Sequence, residues 1–162
     1  DLRQAVAERL SVMPQAPLPL VLHLANDEIS VAAPVLERSP VLSDIDLLYI
    51  IKAQGPAYWQ AIAARESLSD EIVDVLADKK DMPTALRLTR NDKARLTRHA
   101  LDVFAVMATE SEDLARPLLM RPELPENLAR ALYKHVGREL REYIQSYFGI
   151  TDVAVLGAVD EV

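Results

Sequence analysis

The chain contains no cysteine, which excludes disulfide frameworks, thiol nucleophiles and every zinc site built on thiolate. Its four glycines are too sparse for the loops that cradle phosphates or dinucleotides. No apolar run approaches the roughly 18–20 residues needed to cross a bilayer. Residues 1–20 lack the basic-then-apolar order of a signal peptide. No membrane partner is expected, and the cytoplasm is the expected location. The chain opens at Asp1 without a methionine, as a fragment of a longer protein does.

What is present points to helices. Hydrophobic residues make up 50% of the 162 positions and charged residues 27%, the balance of a globular chain rather than a disordered one. That length suits one domain, burying about two thirds of its unfolded surface. Alanine and leucine recur throughout, which favours an all-α fold. Most of the ten prolines fall between periodic segments or near helix starts, where a missing N–H costs little. The net charge of −7 is unevenly spread: residues 1–80 hold 7 basic and 12 acidic side chains, residues 81–150 hold 11 and 10. An acidic body repels phosphate backbones, so no nucleic-acid partner is expected.

The same turn is written three times. "ERSPVLSD" (37–44), "ARESLSD" (64–70) and "MRPELPEN" (120–127) each place an arginine at a helix end. A short step and a leucine follow, then Ser-Asp or Pro-Glu opening the next helix. Ser43 and Ser69 are the expected N-caps, followed by acids that favour the positive helix end. Arg9, Arg38, Arg65, Arg90 and Arg121 recur at intervals of 29, 27, 25 and 31 residues, each long enough for two short helices and two turns. A lone helical hairpin exposes an apolar face that a stacked neighbour would bury. Stacked hairpins account for five recurrences in order better than chance likeness among Ala/Leu helices. Arg38, Arg65 and Arg121 are expected to brace the turns, by hydrogen bonds to carbonyls or pairs with nearby acids. Helix boundaries read this way include a third helix from about Ala32 to Arg38, a fourth closed by Gly55, and a longer last helix through residue 149.

Three segments, "LERSPVLSDIDLLYII", "AIAARESLSDEIVDVL" and "LMRPELPENLARALYKHVGRELREYI", resemble a bacterial family catalogued as domain of unknown function 2336. Its helical pattern is related to HEAT-like repeats. The resemblance covers most of residues 1–150 and implies a HEAT-like α-solenoid. The family has no established catalytic residues, so it implies fold more than activity. The pair in "LRLTRNDKARLTRHAL" departs from the pattern, lacking the Ser-Asp cap and compressing the turn.

No convergent nucleophile, base and electrophile can be assembled from the sequence, so no catalytic residue, metal or cofactor is expected. His23 lies among leucines and reads as packed or capping. His99 and His135 stand 36 residues apart, with no histidine or acid at metalloprotease spacing. Either could accept a phosphoryl group on an exposed helix face, since Arg95, Arg98 and Asp102 surround the first and Arg138 and Glu139 the second. The sequence favours a non-catalytic protein-interaction or regulatory scaffold, with histidine phosphotransfer as the alternative. The expected partner is another protein, a signalling component or a second copy of the chain among the candidates.

Two surfaces are candidates. In the last helix Leu128, Leu132, Val136, Leu140 and Ile144 step by four and should face the body. Arg130, Lys134, Arg138 and Arg141 form another stripe, read either as a solvated face or as a docking strip for an acidic protein. Tyr58 and Trp59 follow a Gly-Pro turn and would anchor a partner where exposed. Tyr143, Tyr147 and Phe148 crowd the end of the helix, as a cap of the stack or a dimer contact. From residue 150 to 162 the texture turns β-branched and acidic, fitting a packed strand, a tail or the start of another region.

Overall fold

A computed structural model describes residues 1–148, leaving aside several side chains in the second half of the last helix. Those residues form ten α-helices and no strand: α1 (Leu2–Leu10), α2 (Leu18–Ala25), α3 (Ile29–Arg38), α4 (Asp44–Ala53), α5 (Pro56–Ala63), α6 (Asp70–Asp78), α7 (Met82–Thr89), α8 (Arg98–Ala108), α9 (Glu112–Leu119) and α10 (Glu126–Phe148). The segment 150–162 lies outside the described residues, as does the expected boundary at 149.

Short polar side chains start most of these helices by accepting otherwise orphaned N–H groups. Ser43 opens α4 with a reciprocal cap: its Oγ accepts from the Asp46 N–H, while the Asp46 carboxylate accepts from the Ser43 N–H at 2.9 Å. Ser69 does the same single service for Ile72 at the start of α6. Asp81 accepts from Thr84, and Ser111 from Leu114.

Three local expectations are corrected. Helix α3 begins at Ile29 and carries Pro34 inside it, in the second turn, where the ring removes only the bond to the carbonyl of exposed Ser30. Gly55 does not close α4: Gln54 is that C-cap, and Gly55 is the N-cap of α5 with Pro56 at its first position. Its φ of −100° needs no glycine, and an added Cβ would meet nothing within 4 Å. The connection before α8 is long rather than compressed. It is capped by Thr97, which accepts from the Ala100 N–H at 3.0 Å and donates to Asp74.

Apolar side chains at helical spacing join one core. Val31, Val35, Ile62, Ile72, Leu88 and Phe104 are wholly buried. Alanines 32, 63 and 77 are also fully buried at helix contacts, where a small side chain lets the backbones approach. Helix α3 packs against α1 and α5, α5 against α7, and α7 against α9. On the other side α4 packs against α6, α6 against α8, and α8 against α10. Sequential neighbours, α8 with α9 for example, hold the two sets together.

Candidate functional site

The cationic stripe lies on α10. Arg130, Lys134 and Arg138 are exposed, while Leu132 of the same helix is buried. The side chain of Arg141 lies outside the described residues, as do those of Val136, Leu140, Tyr143, Ile144, Tyr147 and Phe148. Arg130 Nη2 donates to Glu126 Oε1 at 2.6 Å, one turn back, so part of its charge is answered on the same helix. Beside this stripe a shallow cleft of about 410 Å³ runs along Leu119, Ala129, Tyr133 and Lys134. Tyr133 is 40% exposed there, adding an aromatic edge to the positive face.

Tyr58 and Trp59 are half-buried against the core. The Tyr58 hydroxyl donates to the Asp27 carbonyl, and Trp59 Nε1 donates to the Ile51 and Gln54 carbonyls at 2.9 and 3.1 Å. Lys79 Nζ sits 4.8 Å from the indole centroid, close enough for a cation–π contact. Both aromatic residues therefore tie α5 to the end of α4 and to the turn after α2, and both remain partly exposed.

The helix-end arginines divide into two kinds. Arg65, 8% exposed, donates from Nη1 to the Leu36 carbonyl at 2.7 Å and from Nη2 to the Ser39 carbonyl at 2.6 Å. Those acceptors end α3. Arg121 donates to the carbonyls of Thr89, the last residue of α7, and of Asn91 and Ala94 beyond it, and pairs with Glu123 at 2.7 Å. Arg38, by contrast, is exposed and forms no hydrogen bond or ion pair among the described residues. The side chain at the corresponding step from the next N-cap is Ser39, wholly buried.

A residue missed in the sequence completes this series. Asn91 Nδ2 donates to the Ala63 and Arg65 carbonyls at 2.9 and 2.8 Å, closing the end of α5. Arg65, Asn91 and Arg121 each stand two residues beyond their own helix, and each satisfies the end of the helix packed before it. Counting from helix ends rather than from arginines would have found Asn91 in "LTRND".

His99 is half-exposed on α8, with Nε2 2.6 Å from Asp78 Oδ1 of α6. The hydrogen bond to Asp78 first, then the charges of Asp78, Asp74 and Asp102, raise its pKa above the ordinary 6.5. His135 is half-buried on α10, and His23 is exposed on α2. Among the described residues no three His, Asp or Glu side chains converge as metal ligands. No described helix is long and apolar enough to cross a membrane.

A family model described as "Uncharacterised protein conserved in bacteria (DUF2336)" matches residues 31–162, leaving α1, α2, the turn after α2 and the first two residues of α3 before the matched region. No match is found among curated proteins or among solved structures.

Proposed function

The chain belongs to the bacterial DUF2336 family, and from that premise we propose a non-catalytic protein-interaction module built as a stack of helical hairpins. The observation that carries this reading is the contact pattern: α3, α5, α7 and α9 pack in succession, as do α4, α6, α8 and α10. A HEAT-like stack, which this order of contacts supports, would leave long outer faces free for recognition. The exposed Arg130, Lys134 and Arg138 on α10 give one of these faces a sign, which suits an acidic protein surface and sets orientation and encounter rate more than affinity. Tyr58 and Trp59, both partly exposed, form the second candidate surface.

The competing reading, phosphotransfer through His99 or His135, has less support. Nε2 of His99 is engaged by Asp78, and the surrounding carboxylates oppose an approaching phosphoryl group. A phosphohistidine detected by mass spectrometry after incubation with phosphorylated regulator proteins, and abolished by one histidine substitution, would favour it. The interaction reading is tested by using the domain as bait in a lysate of its source. Wild type is compared with a variant reversed at Arg130, Lys134, Arg138 and Arg141 and with Y58A/W59A, each checked for helicity. A partner retained by wild type and lost on charge reversal is expected. Enrichment no better than an inert domain, or a partner indifferent to both surfaces, would sink the proposal.

A further inference from the structure

Arg65 and Arg121 hold the same place in the fold, but only Arg121 has a carboxylate hydrogen-bonded to it. Around Arg121, Nε donates to Glu123 Oε1 at 3.0 Å and Nη2 to Oε2 at 2.7 Å, while the Nη groups also reach backbone carbonyls. Around Arg65 the two Nη groups reach carbonyls in the same manner, yet Nε is buried without a hydrogen-bond partner. The residue two positions on, Glu123 in one loop, is Ser67 in the other. No carboxylate pairs with Arg65 among the described residues. A guanidinium taken out of water with one N–H unused is costly unless something completes it.

Arg65 lines a cleft of about 560 Å³ together with Val12, Arg38, Pro40 and Ser67. Val12 is 65% exposed and Arg38 has no partner among the described residues. Glu37, also in the lining, is paired with Arg87 at 3.4 Å. Glu66 is exposed and makes no bond to Arg65. Asp44 acts on Arg65 by charge alone, without a hydrogen bond, so the Nε–H edge stays open to a carboxylate that can bond to it.

We propose that this cleft binds a carboxylate side chain of a peptide segment from a partner protein, seated on Arg65 Nε as Glu123 is seated on Arg121. Arg38 holds the carboxylate's outer side, and Val12 and Pro40 receive apolar neighbours in the peptide. The carboxylate is the group this chain itself places on the equivalent arginine, and its planar pair of oxygens matches the Nε/Nη edge. Because Nε is covered, an entering carboxylate has to displace part of that cover. The surface is separate from the α10 face, so the two proposals stand or fall independently.

The test follows the Arg65 Nε–H resonance by NMR in the whole chain. The probes are acetyl-Leu-Glu-Leu-amide, its glutamine counterpart, and inorganic phosphate at matched ionic strength. A saturable shift with the glutamate peptide alone is expected. Ser67→Glu, which copies the Glu123 arrangement, should raise the melting temperature and abolish the shift. Arg38→Ala, at an exposed position, should weaken peptide binding about threefold. The proposal is overturned if the two peptides behave alike, if phosphate saturates the resonance in place of the peptide, or if folded Ser67→Glu keeps the response. Should Ser67→Glu fail to fold, Arg38→Ala decides: unchanged peptide binding in that variant overturns the site.

Discussion

At the scale of single residues, burial separates side chains that look alike in sequence. Arg65 and Arg87 are both helix-end arginines, but Arg65 satisfies two carbonyls from a buried position while Arg87 makes one exposed pair at 3.4 Å with Glu37. Arg65→Ala leaves two acceptors without donors and should cost about 2–4 kcal/mol. Arg87→Ala should cost about 0.5 kcal/mol or less. Urea unfolding of the two variants measures both, and equal losses would remove the bracing role. Lys80, just past α6, has φ 51°, a left-handed conformation that glycine adopts without the Cβ clash. Lys80→Gly is therefore expected to stabilise the chain by up to about 1 kcal/mol in the same assay.

His99 supplies a residue-scale prediction in pH. Its folded pKa lies above 6.5 because of Asp78. The pair's contribution is thus fully present below the unfolded value and disappears as pH rises through the folded one. An NMR titration should place the His99 midpoint above that of a free histidine, and Asp78→Asn should bring it down. A midpoint unmoved by Asp78→Asn would show that the contact does not form in solution.

At the scale of elements, helix starts were more legible than helix ends. A start is marked by a local side chain, such as Ser43 or Ser69, bonding three residues ahead. An end here is satisfied from another helix: Leu36 and Ser39 by Arg65, Ala63 by Asn91, Thr89 by Arg121. An arginine series read by residue type points to Arg38 as a brace and passes over Asn91, whereas the shared step, two residues past a helix end, belongs to Arg65, Asn91 and Arg121. Pro34 misled for a related reason, since it looks like a boundary until α3 is seen to start a turn earlier. The α10 stripe was legible because residues at fourth positions share a face in any helix.

The loop after α9 carries the element-scale prediction. Burial alone would raise the pKa of Glu123, but hydrogen bonds from Arg121 and from the backbone N–H groups of Glu123 and Leu96 outweigh it, and the net shift is downward from 4.5. Its bridge to Arg121 therefore stabilises the fold above the unfolded pKa and loses that contribution as pH falls through the folded one. Glu123→Gln should be less stable than wild type near neutrality. The gap between the two should narrow as pH is lowered below 4.5, as followed by urea midpoints across pH. A gap that stays constant through the acid range would remove the bridge as its source.

At the scale of the whole molecule, the question is whether the helices act as a stack or as one indivisible core. In a stack each unit contacts only its neighbours, so stability is lost locally and spreads along the axis. Leu118 of α9 is fully buried, and its helix packs on α7, α8 and α10. Leu118→Ala should cost about 2–5 kcal/mol by leaving a cavity. If the proposed stacking is right, amide hydrogen exchange in this variant should accelerate in α7–α9, fade through α5, and leave α1 and α3 close to wild type. A single cooperative core would instead raise exchange throughout, because every slow amide would then open by the same global unfolding. The gradient of exchange along α1, α3, α5, α7 and α9 therefore distinguishes the two architectures without reference to any partner. It also bears on the side chains that tie one helix end to the next loop: Asn91→Ala, which unties the end of α5 from the loop after α7, should steepen that gradient between α5 and α7.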